Sequence, residues 1–191
     1  MKQEIKQEIK QLFGNRVALQ LVEEEYEGLL TLPPTADRIH VLSKVVALGD
    51  KVAQNINIGD ILFWQTNAMI QKHCRYDLNG VATFIMLTGD MVARLTSLVV
   101  DRANFHIIGD FCLLRRVVVQ PNATIILPDE AVEANQEITV KFILEEKGDT
   151  VDAPIALGWE LLVDRTRANP IKLGNDSYYY VHKNYILGVV R

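Results

Sequence analysis

Two stretches of equal length decide the fold: 48–64 reads LGDKVAQNINIGDILFW, and 147–163 reads KGDTVDAPIALGWELLV. In both, a Gly-Asp pair is followed by a connection, a second glycine ten positions after the first, and an apolar run. Gly-Asp pairs favour turns, and runs of branched and aromatic residues favour strands. Each stretch therefore predicts a turn, a connection and a strand, and the recurrence predicts an internal repeat.

The repeat extends beyond these two stretches. Gly49 and Gly59 recur as Gly148 and Gly158 at an offset of 99, and FIMLTGDMVARL (84–95) recurs in looser form as YYYVHKNYILGVV (178–190). Two further pairs have similar offsets: Gly80 with Gly174, and Pro33 with Pro128. The period is close to half of the 191 residues. We therefore predict a duplicated domain, at residues 14–97 and 110–191, with a linker at 98–109.

Each copy is predicted to be a small β-barrel. In the first copy, short runs rich in branched residues lie between Gly, Asp and Asn, at 17–22, 38–48, 60–64, 81–87 and 91–95. About six short strands fit a barrel whose interior is filled by side chains, which places function in the loops and outer surfaces. Before the first copy, QEIK occurs twice with apolar residues at helical spacing, which predicts an amphipathic helix over 1–13. The predicted class is all-β: two tandem barrels with an N-terminal helix.

Composition excludes several kinds of partner. The net charge of −4 argues against a nucleic-acid or anionic-membrane binder, since these usually need a basic face. No apolar run is long enough for a transmembrane helix, and the N-terminus lacks the apolar centre of a signal peptide. Two cysteines do not make a disulfide framework, so a reducing compartment, the cytoplasm, is expected.

The sequence offers little for catalysis. We find no nucleophile elbow and no glycine-rich phosphate loop, and the four histidines are isolated. His73-Cys74 has no partner at metal-ligand spacing, so we expect no metal, no cofactor and no enzyme activity. Tyr178–Tyr180 could stack on bases, but the absence of surrounding basic residues favours a strand with tyrosines in the core and at a subunit contact.

Three strings in the first copy resemble one family. KVVALGDKV (44–52), NINIGDILFW (55–64) and GVATFIMLTGDMVARL (80–95) are similar, in order and separation, to the GroES-type co-chaperonins, the chaperonin-10 family. Gly14–Val17 is similar to the start of the family's first strand. The resemblance covers residues 14–95 well and 109–190 more weakly.

The resemblance implies two GroES-like irregular β-barrels that assemble into a homo-oligomeric ring. Such a ring caps the apical domains of a GroEL-type chaperonin, encloses a client protein and has no catalysis of its own. The family carries a docking tripeptide after the first strand. The matching chaperonin-binding positions here are Leu29, Leu30, Thr31 and Leu32 in the first copy, and Ile125, Ile126 and Leu127 in the second.

Alternatives remain open at this stage. Leu30 and Leu32 alternate, so they could instead form the inward face of a barrel strand. The connection between Gly49 and Gly59 is too short for the family's roof hairpin. Lack of this hairpin resembles the co-chaperonins encoded by phages, and a phage-encoded protein would act in the host cytoplasm. Ring size stays open between a tetramer and a heptamer. The competing function is a structural shell or virion component with this fold that binds no chaperonin.

Overall fold

A computed structural model describes residues 9, 11–22, 39–52, 55–66, 74–118, 140–152 and 154–190. These residues divide into two compact units, 1–106 and 107–191. The first unit contains strands β1 to β6 and the second β8 to β13, with β7 at the division. The strands are β1 Arg16–Leu21, β2 Ile39–Leu48, β3 Ile61–Thr66, β4 Arg75–Leu78, β5 Val81–Leu87, β6 Met91–Leu95, β7 Phe105–Ile107, β8 Phe111–Val118, β9 Val140–Lys147, β10 Glu160–Val163, β11 Asn169–Leu173, β12 Asp176–His182 and β13 Ile186–Val190.

The two units have the same strand topology. The first sheet has the order β4-β5-β1-β2-β3-β6-β7, and the second has the order β11-β12-β8-β9-β10-β13. Short 3-10 turns precede β6 and β13, at Thr88–Asp90 and Lys183–Tyr185. The predicted all-β class, with two tandem domains of matching strand order, is thereby confirmed.

The similarity between the two units extends to the positions of their register shifts. The register between β1 and β2 shifts at Ala18/Leu19, and the register between β8 and β9 shifts at Leu113/Leu114, 95 positions later. The register between β3 and β6 shifts at Phe63/Trp64, and the register between β10 and β13 shifts at Leu162/Val163, 99 positions later. β-Bulges are specific structural features, so their recurrence indicates one architecture used twice.

The Gly-Asp pairs form the same close turn in both units. The Gly49 N–H donates to the Arg16 carbonyl at 2.8 Å, and the Gly148 N–H donates to the Phe111 carbonyl at 2.8 Å. A Cβ at Gly49 would lie 2.2 Å from the Gly14 carbonyl oxygen, and one at Gly148 would lie 2.1 Å from the Gly109 carbonyl oxygen. Only glycine allows two backbone segments to approach this closely.

The first sheet curls strongly around its core. Trp64 on β3 and Phe84 on β5 lie three strand spacings apart in the sheet, which is about 14 Å if the sheet were flat. Their ring centroids are 5.5 Å apart, so the sheet must fold back on itself. In the second unit, a core built around Leu114, Phe142 and Leu144 includes side chains from β8, β9, β10 and β12. Both units therefore have a barrel-like core.

The sequence located most strands closely. Strands 81–87 and 91–95 are confirmed, and Asn79-Gly80 forms the expected turn, with φ of 55° and 79°. The predicted N-terminal helix falls mostly outside the described residues. Its end is wrong, because Leu12 forms an isolated β-bridge with Gly49. The segment 98–109, expected to be a linker, contains strand β7.

Candidate functional site

The residues predicted to contact a chaperonin lie outside the described part of the chain. This applies to Leu29, Leu30, Thr31 and Leu32, and to Ile125, Ile126 and Leu127. The structure describes the strand pairs at which the two segments begin and end. These strand pairs, called the two bases here, are β1 with β2 and β8 with β9.

The first base joins β1 to β2 through a continuous ladder. Leu21 at the end of β1 pairs with Ser43, and the Val22 N–H donates to the Leu42 carbonyl at 3.2 Å. β2 begins further out, at Ile39, where it still pairs with Thr66 of β3. The segment 23–38 therefore leaves from the end of one strand and returns along its neighbour.

A buried hydrogen bond between side chains stabilises the first base. The Trp64 indole N–H donates to the Ser43 hydroxyl at 2.9 Å, and both side chains are fully buried. A buried indole N–H needs such a partner, because leaving it unpaired costs about 1–3 kcal/mol. β1 is also paired on its other side, to β5. The strand pair at which the first segment begins is therefore anchored by buried side chains of the core, although Leu21 itself is exposed.

The second base has the same form with different side chains. Val118 at the end of β8 pairs with Val140 at the start of β9. Two ion pairs flank the base: Arg115 with Glu145 at 2.6 Å, and Lys141 with Glu160 at 2.9 Å. Both pairs are partly exposed, so each adds less than about 1 kcal/mol. The ends of segment 119–139 are therefore held side by side.

The tyrosines of β12 belong to this second core. Tyr180 is fully buried, and the Tyr179 ring packs edge-on against Phe142 with centroids 5.3 Å apart. The expected core role is thus confirmed for Tyr180, whereas Tyr179 is partly buried and packs against the edge of the core.

Both segments are longer than strand pairing requires. The first lies between the end of β1 at Leu21 and the start of β2 at Ile39, and the second between Val118 and Val140. A hairpin connection needs only about 2–5 residues, and both spans are several times longer. The connections that follow in each unit, at 49–60 and 148–159, are shorter than either segment and equal to one another in length. In each unit, the longest interval between described strands therefore contains the predicted docking positions.

A polar cluster ties the second unit together away from its base. Asp110 accepts a hydrogen bond from the Thr150 hydroxyl and from the Lys183 ammonium group, the latter at 3.0 Å. The bond from Thr150 is the main reason that the pKa of Asp110 lies below its usual value, and Lys183 adds to the effect. The hydrogen bond to Asp110 in turn raises the pKa of Lys183. The cluster links the Gly148 turn to the turn before β13.

The described residues contain two free cysteines in different surroundings and no cluster of metal ligands. Cys112 is fully buried, and burial raises the pKa of its thiol to about 11, so the thiol stays protonated at neutral pH. Cys74 is a free, partly exposed thiol, while His73 lies outside the described residues. No set of three His, Cys, Asp or Glu side chains in the described ranges could hold a metal. Nor do those ranges contain a helix that is long and apolar enough to cross a membrane.

The sequence analysis did not predict one exposed apolar surface in the second unit. Trp159, Leu162 and Leu187 are exposed on the turn before β10, on β10 and on β13. When the repeat is aligned at an offset of 99, Trp159 occupies the position of Asp60. A tryptophan in place of an acidic residue was the one sequence feature that could have indicated an exposed apolar surface.

Comparison with known proteins supports the family suggested by the sequence. Residues 105–190 match the family model described as "Chaperonin 10 Kd subunit". The match covers β7 to β13, so the second domain is similar to the chaperonin-10 family. No curated protein matches the chain.

Proposed function

We propose that this protein is a co-chaperonin with two chaperonin-10-type domains in one chain. Several chains form an oligomeric ring that caps a GroEL-type chaperonin in its nucleotide-bound state and encloses a client protein. The chaperonin supplies the ATP hydrolysis, and this chain supplies contacts. The observation that carries the proposal is the family match over residues 105–190.

The family match does not extend to the first domain, which is included in the proposal because of its structure. It has the same strand order as the matched domain, the same two bulges and the same glycine turns. The likeness of the two halves supports a tandem duplication of one domain. In that case each chain carries two sets of chaperonin contacts.

The placement of the apolar strings supports a docking role. Leu30-Thr31-Leu32 and Ile125-Ile126-Leu127 each lie in the segment that joins the first two strands of a domain. Each segment begins and ends at a pair of hydrogen-bonded strands, and it is longer than a hairpin connection needs to be. Acidic residues and prolines flank the first string, in EEEYEGLLTLPP (23–34), and favour an exposed, extended conformation.

Energetics favour many weak contacts over one strong contact. A buried Leu or Ile side chain contributes roughly 1.5–3 kcal/mol, and much of this is lost in ordering the segment. A single tripeptide therefore binds weakly. Linked copies in a ring bind cooperatively through high effective concentration, and they can still be released when the partner changes shape.

Two ring geometries satisfy the proposal. A heptamer would place one domain of each chain against the chaperonin and the other in a second tier. A tetramer would instead present both domains of each chain to the partner. The two geometries differ in mass and in the number of domains touching the chaperonin.

The test is a pull-down with a purified bacterial chaperonin, with and without ATP, followed by electron microscopy of the complex. We expect retention only with nucleotide, and a cap at the end of the chaperonin cylinder. Images of the cap would also distinguish the tetramer from the heptamer. Absence of binding under all nucleotide conditions would favour the competing structural-shell function.

A further inference from the structure

The two bases occupy equivalent places in their domains but are held by different side chains and ladders. Leu21 pairs with Ser43 in the first base, and the equivalent pair in the second base is Arg116 with Phe142. Each pair lies close to the point at which a predicted docking segment begins. Differences at this level therefore affect how each segment is presented.

A buried polar pair distinguishes the first base from the second. The Trp64 indole N–H donates to the Ser43 hydroxyl at 2.9 Å, and both side chains are fully buried. The second domain has Val163 and Phe142 at these two positions. It packs its core there with apolar side chains alone, so the fold itself does not require the polar pair.

The hydrogen bond favours one register of β2 against β3. Ser43 lies opposite Leu62 in this ladder, so the Trp64 indole reaches it along the diagonal. A slip of one residue would turn the hydroxyl and the indole to opposite faces of the sheet. Both polar groups would lose this bond, and a buried polar group without a partner is unfavourable. The pair therefore fixes the strand on which the first segment returns.

The ladders beside the two bases also differ. Strand β2 pairs with β3 over six residues, 39–44, whereas β9 pairs with β10 over two, 142–143. Strand β10 ends where a turn begins, in which Asp164 accepts hydrogen bonds from the N–H and the hydroxyl of Thr166. In the described part of the second sheet, residues 140–141 therefore pair with β8 alone. Two strands without further neighbours are only marginally stable, so the second base is the less supported of the two.

The exposed side chains at the bases differ as well. Leu21, at the end of β1, is 44% exposed, whereas the equivalent Arg116 and its neighbour Arg115 are exposed cations. An exposed leucine on the strand that leads into an apolar segment extends the apolar surface, whereas arginine side chains favour water. The first base thus adds apolar surface next to its segment, and the second base does not.

We propose that the first base, rather than the second, positions the segment that docks on the chaperonin. Ser43 and Trp64 act as positioning residues, and Leu21 adds to the contact. A base held in one register presents its anchors at a fixed place, which lowers the cost of ordering them and raises the effective concentration of linked anchors in a ring. The inference rests on the proposed function and deepens it, since it selects the geometry in which one domain of each chain meets the partner.

The first experiment compares exposed positions in the full chain by affinity for an immobilised GroEL-type chaperonin with ATP. Leu21→Asp should weaken binding at least about tenfold, because the lost apolar contact recurs in every chain of the ring. Arg116→Asp, at the equivalent position of the second domain, should change the affinity less than about twofold. Leu87→Asp is the matched control and should bind as wild type does. Leu87 is also 44% exposed, but it pairs with Arg16, at the opposite end of β1.

The second experiment gives the first domain the apolar pair of the second. Ser43→Phe combined with Trp64→Val moves a large side chain from one strand to its neighbour, and changes that conserve volume are the best tolerated in a core. The double variant should keep the circular dichroism spectrum of wild type, yet bind the chaperonin at least about tenfold more weakly because the anchors are less well placed. Its Val22 N–H, which bonds to the Leu42 carbonyl, should also exchange faster with solvent. A role in stability alone would leave the affinity of the folded variant unchanged.

Several results would overturn the inference. These are equal weakening by Leu21→Asp and Arg116→Asp, weakening by Leu87→Asp, and wild-type affinity in a folded Ser43→Phe/Trp64→Val variant. Without any chaperonin, amide exchange in wild type that is as slow at 140–141 as at 39–44 would contradict the difference between the bases. A wild type that binds no chaperonin would instead refute the proposed function, and the docking role of the first base with it. If the double variant does not fold, the aspartate variants decide, since their positions are exposed.

Discussion

Substituting Gly49 by alanine should strongly destabilise the first domain. The new Cβ would lie 2.2 Å from the Gly14 carbonyl oxygen and 3.1 Å from the Arg16 carbonyl oxygen. Both are backbone atoms of the segment leading into β1, so no flexible side chain can move aside. The clash must therefore separate the turn from that segment.

The magnitude follows from the contacts that would be disturbed. Overpacking in a rigid environment costs about 1–3 kcal/mol. Separation also strains the hydrogen bonds from the Gly49 N–H to Arg16 at 2.8 Å and from the Lys51 N–H to Gly14 at 3.1 Å. Each such bond contributes about 1 kcal/mol. We expect the free energy of unfolding to fall by about 3 kcal/mol, which lowers Tm by about 12 °C or more in a domain of this size.

Fluorescence can isolate the domain that carries the change. The chain has two tryptophans, and Trp64 is fully buried in the first domain while Trp159 lies in the second. In a Trp159→Phe background, thermal unfolding followed at Trp64 reports the first domain alone. Gly89→Ala is the matched control, because its Cβ would meet nothing within 4 Å. If the Gly49→Ala variant melts within about 2 °C of this control, a shift worth well under 1 kcal/mol, the close backbone approach is wrong.

Two further predictions concern the second domain. The hydrogen bond from Thr150 lowers the pKa of Asp110, so the stability from this carboxylate is present above its unfolded pKa and lost as pH falls below about 4. Between pH 6 and pH 3, the free energy of unfolding of Asp110→Asn should therefore fall less than that of wild type. The difference should be under about 1 kcal/mol, because the carboxylate is partly exposed. An equal fall in both proteins, measured by denaturant melts, would contradict this. For the thiols, a chromogenic disulfide reagent at pH 8 should modify Cys74 and spare buried Cys112, whose pKa is about 11, until denaturant is added. Rapid modification of both thiols in the native protein would refute the burial of Cys112.

The sequence was most informative where local pattern and packing agree. Strands β5 and β6 are apolar runs between turn residues, and the Gly-Asp pairs mark close turns that only glycine can form. The polar β4, RYDL, and the very short β7 carry no such pattern, because their pairing comes from neighbouring strands. Leu12 shows the same limit: helical spacing predicted a helix, but contact with Gly49 sets its conformation.

At the candidate site, too, some features could be predicted from the sequence and others could not. The position of each segment proposed to dock, after the first strand of a domain, could be predicted, because it follows from the family resemblance and the repeat. The exposed surface formed by Trp159, Leu162 and Leu187 could not be predicted, since the two leucines have the sequence pattern of ordinary core residues in strands. Their exposure depends on how the strands pack, which the local sequence does not encode.

Chaperonin binding by the two tripeptides is the central claim, and an affinity measurement on an immobilised GroEL-type chaperonin with ATP tests it most directly. Wild type should bind only with nucleotide. Replacing Leu30 and Leu32 with serine should weaken binding at least a hundredfold, since each anchor contributes roughly 1.5–3 kcal/mol and the loss recurs in every chain of the ring. Thr35→Ser, outside the tripeptide, is the control and should bind as wild type does. Unchanged binding by the serine variant, with Ile125–Leu127 also replaced, would contradict the account.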